Sequence, residues 1–149
     1  MKSNNLGKYL ERSVEIYKIE NILFLNVLRM KDAAVLLYFG KESYPIENID
    51  EIIWKIVSRY PLVIEIAGKD SEEMFDILLK NLSERKTPHH IMTKICEEDN
   101  VSDIIEDYFI STWPDEDSFD NWKKYSIIFI GNEREYINFE NNVKEYINK

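Results

Sequence analysis

From residue 33 onward, short apolar runs alternate with longer segments in which apolar residues recur every three or four positions. The runs are rich in Val, Ile, Leu and aromatic residues, as buried strands are, and they cover residues 33–39, 61–66, 89–95 and 125–130. The periodic segments predict helices whose apolar stripes begin at Ile49, Met74, Val101 and Tyr136. Because strands and helices alternate with short links, we predict an α/β fold. Its core is a small doubly wound, mainly parallel sheet of four strands, or five, with helices on both faces.

The start of each predicted helix carries a capping signal. An Asn or Asp stands before the first turn and an acid follows three residues later, and the four predicted caps are Asn48, Asp70, Asn100 and Asn132. Such a side chain accepts backbone N–H bonds, and the following acid complements the positive end of the helix dipole. The repetition of this signal supports the predicted helix starts.

Residues 1–31 leave two interpretations open. Leu6, Leu10, Val14 and Tyr17 have helical spacing, while residues 14–18 alternate as a strand does. For residues 20–31 we prefer a helix, and the alternative is the second arm of a hairpin that turns at Glu20 and Asn21. The chain shows no linker composition, so we predict a single domain over residues 1–149, with an N-terminal helix or hairpin at 1–31 and βα repeats at 33–149.

Acidic residues are concentrated in one part of the chain. The sequence has 28 Asp and Glu against 19 Lys and Arg, a net charge of -9, and residues 97–122 hold ten of the acids and no Lys or Arg. Such a field repels phosphate backbones and anionic lipids, so we expect neither nucleic-acid nor membrane binding. It favours a basic partner, and the alternative is that it serves solubility alone.

We expect a cytoplasmic bacterial protein. No apolar leader precedes the first charged residues, and no apolar stretch is long and continuous enough to span a bilayer. The single cysteine, Cys96, excludes an intramolecular disulfide. The abundance of Ile, Lys and Asn is typical of a bacterial genome rich in A and T.

Residues 113–122 combine aromatic and acidic side chains in a segment that we predict to be a loop. The side chains that we predict to contact a partner here are Trp113, Asp115, Glu116, Asp117, Asp120 and Trp122. Aromatic rings supply contact energy and carboxylates steer a basic surface toward them. The alternative is that the aromatic residues only fasten the loop to the core, leaving the acids solvated.

The predicted carboxyl ends of the strands hold a second set of candidate residues. Ligands of parallel sheets bind beyond these ends, where the sequence places Glu42, Asp70, Glu97 and Asp99. With Lys41 and Lys69 nearby, the four carboxylates form an alternative site for Mg²⁺ and a phosphate group. Neither of the common glycine-rich phosphate-binding motifs is present, which disfavours the usual kinds of nucleotide binding.

Other polar residues in the apolar runs favour structural roles. His89 and His90 are adjacent in a predicted strand and point to opposite faces, so they do not share one metal. We interpret Cys96 as a buried structural thiol rather than a nucleophile, and we expect no metal and no cofactor. Glu65 interrupts a buried strand, for which we prefer an edge position to pairing with a base such as Lys94.

Residues 44–54 read Tyr-Pro-Ile-Glu-Asn-Ile-Asp-Glu-Ile-Ile-Trp, and residues 60–65 read Tyr-Pro-Leu-Val-Ile-Glu. This order of an aromatic residue, an acidic helix start, a helical Trp and a Tyr-Pro-led strand resembles the barstar family of intracellular ribonuclease inhibitors. The resemblance implies a protein, similar in role to bacterial immunity proteins, that blocks a basic nuclease with a helix and the adjoining loop. It places Tyr44 and Asp50 at the inhibitory surface. The family's second inhibitory acid aligns with Lys55, and residues 125–149 have no counterpart in the family.

These observations favour a binding module over an enzyme. We predict an acidic cytoplasmic protein that engages a basic partner, such as a toxin nuclease, as an immunity protein or inhibitor does. The alternative is a Mg²⁺-dependent enzyme or phosphate-responsive domain that uses the carboxylates at the strand ends.

Overall fold

A computed structural model describes residues 2–41 and 49–149 of the chain. Its strands are β1 (Lys2–Tyr9), β2 (Arg12–Lys18), β3 (Ala33–Phe39), β4 (Val63–Gly68), β5 (Met92–Ile95) and β6 (Lys124–Ile130). Its α-helices are α1 (Ile49–Val57), α2 (Ser71–Ser83), α3 (Val101–Ser111) and α4 (Glu133–Ile147), and two 3₁₀ helices cover Ile22–Val27 and Glu116–Asn121. In this part of the chain, no helix combines the length and the apolar character needed to cross a bilayer.

The strands form one six-stranded mixed sheet in the order β1-β2-β6-β3-β4-β5. β1 pairs antiparallel with β2, and every other neighbouring pair is parallel. The predicted α/β class with a mainly parallel sheet is therefore confirmed. The sheet has more strands than the four or five predicted, because the N-terminal segment adds two.

The central strands are buried on both faces. All seven residues of β3 are buried, and alternate side chains enter two separate cores. Leu36 and Tyr38 pack in the core beneath α3 and α4, while Val35 and Leu37 pack in the core beneath α1 and α2. Strands covered on both sides by helices read as continuous apolar runs, which is why the sequence pattern located them.

The N-terminal segment is a hairpin followed by a 3₁₀ helix. The interpretation of residues 6–17 as a helix is wrong, because β1 and β2 pair antiparallel around a turn at Leu10 and Glu11, both with positive φ. The alternative hairpin turn at Glu20 and Asn21 is wrong as well, and the preferred helix over 20–31 is limited to the 3₁₀ helix Ile22–Val27. β1 lies at the edge of the sheet and most of its side chains reach solvent, so it carries no apolar period.

Two of the four predicted caps are confirmed. The Asn100 side chain accepts from Ser102 N (2.8 Å), and the Asn132 side chain accepts from Glu135 N (2.8 Å). The prediction for Asp70 is wrong in its mechanism: Asp70 precedes α2 in a left-handed conformation (φ 57°) and its side chain makes no capping bond. Asn48 lies outside the described residues.

The parallel strands give the sheet two unlike edges. Strands β3 to β6 end where the next helix begins, and we call this side the carboxyl edge; the strands start at the opposite, amino edge. At the carboxyl edge Gly68 has φ +97°, and a Cβ there would lie 2.1 Å from Phe39 O. Only glycine therefore allows β4 to end so close to β3.

Because Asn100 makes capping bonds and Asp70 does not, we expect the loss of their side chains to lower the free energy of unfolding by different amounts. Asn100→Ala should lower the free energy of unfolding by about 1 kcal/mol, because two N–H groups of α3 lose their acceptor. Asp70→Gly should change it by less than about 0.5 kcal/mol, since no capping bond is lost and glycine suits the left-handed backbone. Urea unfolding of both variants measures the difference, and equal losses would contradict these cap assignments.

Candidate functional site

Residues 113–122, which we call the aromatic–acidic segment, connect the end of α3 to the start of β6 at the amino edge. Trp113 and Phe119 are 51% and 41% exposed. Their rings meet edge to face with centroids 6.3 Å apart. The segment thus presents an aromatic pair to solvent, as the prediction of a partner contact requires.

The same segment is fastened to the core by Trp122. This residue is 4% exposed, its Nε1 donates to Lys124 O (3.1 Å), and its ring packs edge to face on Tyr125 (5.2 Å between centroids). Arg12 of β2 lies over the Trp122 ring at 3.7 Å and donates from Nε to Trp122 O. Trp122 therefore holds the segment in place, and the exposed contact area comes from Trp113 and Phe119.

Four carboxylates belong to the same segment as the aromatic pair: Asp115, Glu116, Asp117 and Asp120. Within residues 2–41 and 49–149, none of the four forms an ion pair with a Lys, Arg or His side chain. Glu116, Asp117 and Asp120 are exposed, while Asp115 is partly buried and its side chain accepts from Asp117 N. The exposed carboxylates are free to pair with a basic surface.

A cleft of about 1310 Å³, the amino-edge cleft, borders this segment. Five cationic side chains line it together with three carboxylates, and these residues are Arg29, Lys31, Arg59, Lys123, Lys124, Asp32, Asp115 and Asp117. His89 and His90 both line it, so the prediction that they lie in a strand and point to opposite faces is wrong, because β5 begins only at Met92. His89 Nε2 donates to Pro61 O at 2.9 Å. Asp115 and Asp117 therefore stand at the boundary between an acidic surface and a cationic one.

A second cleft, of about 680 Å³, lies at the carboxyl edge between the ends of β3, β4 and β5. It brings together three of the residues predicted for a Mg²⁺ and phosphate site, Asp70, Glu97 and Asp99. Lys41 and Lys69 line it too, and six carboxylates outnumber these two lysines. Glu42, the fourth predicted residue, lies outside the described residues.

The acidic stretch 97–122 does not form one surface. α3 runs from the carboxyl edge to the amino edge, so it separates Glu97 and Asp99 from the aromatic–acidic segment by the height of the sheet. Asp50 is exposed in the first turn of α1, at the carboxyl edge. Tyr44 lies outside the described residues. The structure therefore places Asp50 and the aromatic–acidic segment at opposite edges rather than in one contact.

Glu65 occupies the centre of a buried polar cluster. The interpretation of its strand as a sheet edge is wrong, because β4 lies between β3 and β5. The alternative, a pair with Lys94, is confirmed: the two residues are register partners and Lys94 Nζ lies 3.6 Å from Glu65 Oε2. The Glu65 side chain is fully buried, and Thr112 Oγ1 donates to its Oε1 at 2.6 Å.

The cluster includes one acid that the sequence did not single out. Asp107 of α3 accepts a hydrogen bond from Lys94 Nζ at 2.6 Å, and Lys94 also donates to Ser111. The side chains of Glu65, Cys96 and Asp107 each have one atom that could bind a metal, a carboxylate oxygen or the sulfur. These three atoms all lie within 4.8 Å of one another. The sequence signal for Asp107 is weak, since an acid beside the apolar stripe of a helix is usually solvated. The pairing of β4 with β5 and the packing of α3 on the sheet bring these residues together.

Burial sets the protonation of this cluster. It raises the pKa of Glu65 to about 8, although Thr112 and Lys94 act in the opposite direction. The pKa of Asp107 is lowered: burial opposes this, but hydrogen bonds from Glu65 and Lys94 outweigh it. With Glu65 protonated, the two acids carry one negative charge, which the one ammonium group of Lys94 balances.

Cys96 is 3% exposed, and burial raises the pKa of its thiol to about 12. Such a thiol carries almost no thiolate at neutral pH and is a poor nucleophile. This agrees with the interpretation of Cys96 as a buried structural thiol rather than a nucleophile.

Comparison with known proteins assigns no family. No protein-family model matches the chain. A stretch of 65 residues is 29% identical to 4-hydroxy-3-methylbut-2-enyl diphosphate reductase of Wigglesworthia glossinidia brevipalpis, covering 44% of this chain and 21% of that enzyme. The likeness therefore spans about a fifth of the enzyme's length.

Removing the ammonium group of Lys94 from the cluster should destabilise the folded protein. Lys94→Met leaves Glu65 and Asp107 without a positive charge, and we expect the free energy of unfolding at pH 7 to fall by about 2–3 kcal/mol. Urea unfolding in buffer with a chelator measures the loss. The control is Lys86→Met, which removes an exposed lysine and should cost less than about 0.5 kcal/mol. Equal losses in the two variants would show that the cluster is not held by Lys94.

Proposed function

We propose that the protein is a cytoplasmic binding module for a basic protein partner, which it engages through the aromatic–acidic segment. The observation that carries this proposal is the exposed pair of Trp113 and Phe119 set among carboxylates that have no ion-pair partner in residues 2–41 and 49–149. Exposed aromatic rings of this kind are enriched among the residues that dominate binding energy.

The segment is suited to binding because it is held in place before a partner arrives. Trp122 and Arg12 fasten it to the core, so little ordering entropy is lost on association. Trp113 and Phe119 then supply rigid apolar contact area. The 3₁₀ helix Glu116–Asn121 carries the exposed acids on a short ordered element beside them.

The carboxylates favour a partner surface rich in Lys and Arg. Exposed acids raise the rate of encounter with such a surface and discriminate against acidic proteins. The adjoining amino-edge cleft is lined by more cations than acids, so it repels a basic surface. A basic partner is therefore attracted to the side of the segment that faces away from the cleft. The partner's basic zone should therefore cover Glu116 and Asp120 rather than the cleft.

A toxin nuclease is the basic partner that the resemblance to the barstar family implies, and the protein would then act as an immunity protein or inhibitor. That resemblance places the contact at Tyr44 and Asp50, of which Asp50 lies at the carboxyl edge. The aromatic–acidic segment lies on the other edge. The two surfaces are thus separate candidates, and mutation of one tests it without touching the other.

Charge reversal of the exposed acids should weaken partner binding. In Glu116→Lys, Asp117→Lys, Asp120→Lys the attraction becomes repulsion, and we expect the affinity for a basic partner to fall at least about tenfold. Binding of wild type should also weaken as salt rises. Pull-down from the host, followed by calorimetry with the recovered basic protein, measures both effects.

The matched control is Glu97→Lys, Glu98→Lys, Asp99→Lys, which makes the same change in charge at the carboxyl edge on exposed residues. It should retain the partner. Retention of every partner by the first variant, or equal loss in both variants, would remove the aromatic–acidic segment from the interface. Circular dichroism of both variants checks that the fold is kept.

We also propose a second candidate function, a Mg²⁺-dependent or phosphate-responsive site in the carboxyl-edge cleft. What favours it is the convergence of Asp70, Glu97 and Asp99 with Lys41 and Lys69 beyond the ends of parallel strands. Carboxylates hold Mg²⁺, and lysines hold phosphate oxygens. The partial likeness to an enzyme named for a diphosphate substrate is compatible with this candidate.

A Mg²⁺ titration followed by backbone amide NMR tests the second candidate. The amides of residues 68–73 and 97–99 should shift, and Asp70→Asn with Asp99→Asn should suppress the shifts by removing two ligands. The exposed acids at 116–120 serve as the internal control and should not move with the same affinity. Unchanged spectra in the cleft would eliminate this candidate.

A further inference from the structure

We propose that Glu65, Cys96 and Asp107 form a binding site for a borderline divalent cation such as Zn²⁺, between the edge of the sheet and α3. The three side chains offer two carboxylate oxygens and a sulfur whose positions all lie within 4.8 Å of one another. They come from three elements: β4, the residue after β5, and α3. A cation held by all three would join the edge strand and the helix to the interior of the sheet.

The geometry around Glu65 carries this inference. Its side chain is fully buried on an interior strand, and its Oε2 has no hydrogen-bond partner in the part of the chain that the structure describes. Lys94 Nζ, at 3.6 Å, is too far for a normal hydrogen bond to this atom. A buried carboxyl oxygen without a partner is unfavourable, and once the Glu65 proton has left, a directly bound cation would satisfy this atom.

The neighbouring contacts are those that a ligand site needs. Thr112 Oγ1 donates to Glu65 Oε1 at 2.6 Å, which fixes the orientation of the carboxylate. Ligating carboxylates in metal sites are commonly held in this way by outer hydrogen bonds. The backbone N–H of Cys96 donates to Ile66 O at 2.9 Å, which fixes the start of the Cys96 side chain.

The ammonium group of Lys94 lies beside two of the proposed ligands, so its positive charge must be compatible with a bound cation. Its side chain is 29% exposed and already donates to Ser111, so it can turn toward solvent while it stays beside the cluster. On metal binding the Cys96 thiol proton and the carboxyl proton of Glu65 both leave to solvent, and metal–sulfur and metal–oxygen bonds form. Two carboxylates and a thiolate carry three negative charges, and the divalent cation with Lys94 carries three positive charges, so the site is neutral.

The donor set indicates which cation it would take. A thiolate favours Zn²⁺, Co²⁺ or Fe²⁺ over Mg²⁺ and Ca²⁺, which prefer oxygen ligands alone. A cation would enter the site beside β5, the outermost strand on this side of the sheet. Lys94 and Asp107 are partly exposed there, while Glu65 and Cys96 are buried. This site is distinct from the carboxyl-edge cleft, whose acids are exposed.

Titration of the metal-free protein, residues 1–149, with CoCl₂ and ZnCl₂ tests the inference. We expect one Co²⁺ per chain with a sulfur-to-cobalt charge-transfer band in the near ultraviolet, displacement of Co²⁺ by Zn²⁺, and a higher thermal midpoint with Zn²⁺. Cys96→Ser should remove the band, and Asp107→Asn should weaken Zn²⁺ binding at least about tenfold. Asp107 is partly exposed, so this second variant keeps the test valid if Cys96→Ser does not fold.

The control is Asp103→Asn, Glu106→Gln, which removes two exposed acids of α3 near Asp107 and should bind Co²⁺ as wild type does. Two results would overturn the site. One is the absence of a charge-transfer band in the wild-type protein at saturating Co²⁺. The other is Zn²⁺ binding that persists in Asp107→Asn and is lost in the control, which would assign the metal to surface acids.

Discussion

The burial of β3 on both faces is the constraint on which the rest of the structure depends. β3 lies between β6 and β4, and all of its residues are inaccessible to water. A strand of this kind needs a helical layer on each side, because each face of its side chains must leave water. α1 and α2 cover one face, and α3 and α4 cover the other. The two layers in turn determine where helix starts, helix ends and loops gather at the edges of the sheet.

This arrangement changes the meaning of the acidic stretch. In the sequence the ten acids from 97 to 122 fall in one stretch without Lys or Arg. In the structure, α3 crosses the full height of the sheet and separates the acids before it from those after it. One group of acids therefore lies in the carboxyl-edge cleft, and the other lies beside the cationic amino-edge cleft. A net charge of -9 is thus compatible with a local surface on which cations outnumber acids. The two proposed functions use different edges for this reason.

Within residues 2–41 and 49–149, Glu65 is the one acid whose side chain is fully buried. Its strand neighbours Ile64 and Ile66 pack in the core beneath α1 and α2, so its own side chain must point toward α3. There it meets Lys94 and Asp107, and the cluster avoids an unpaired buried charge by combining one ammonium group with a carboxyl group whose pKa is raised. A proton or a metal cation can fill the same electrostatic role. That is the physical link between the structural description of the cluster and its proposed ligand.

The sequence by itself determined the features that depend on local periodicity. The apolar run Ala33–Phe39 and the helix Ile49–Val57 lie where the pattern predicts them, and Asn100 and Asn132 cap their helices as expected. Tertiary structure decided the rest. The edge position of β1 and the interior position of Glu65 follow from which strands pair, and the closeness of Glu65 to Asp107 follows from the packing of α3 on the sheet. Both kinds of contact join residues far apart in the chain. A periodic pattern shows that a residue is buried, whereas only the strand order shows what it is buried against.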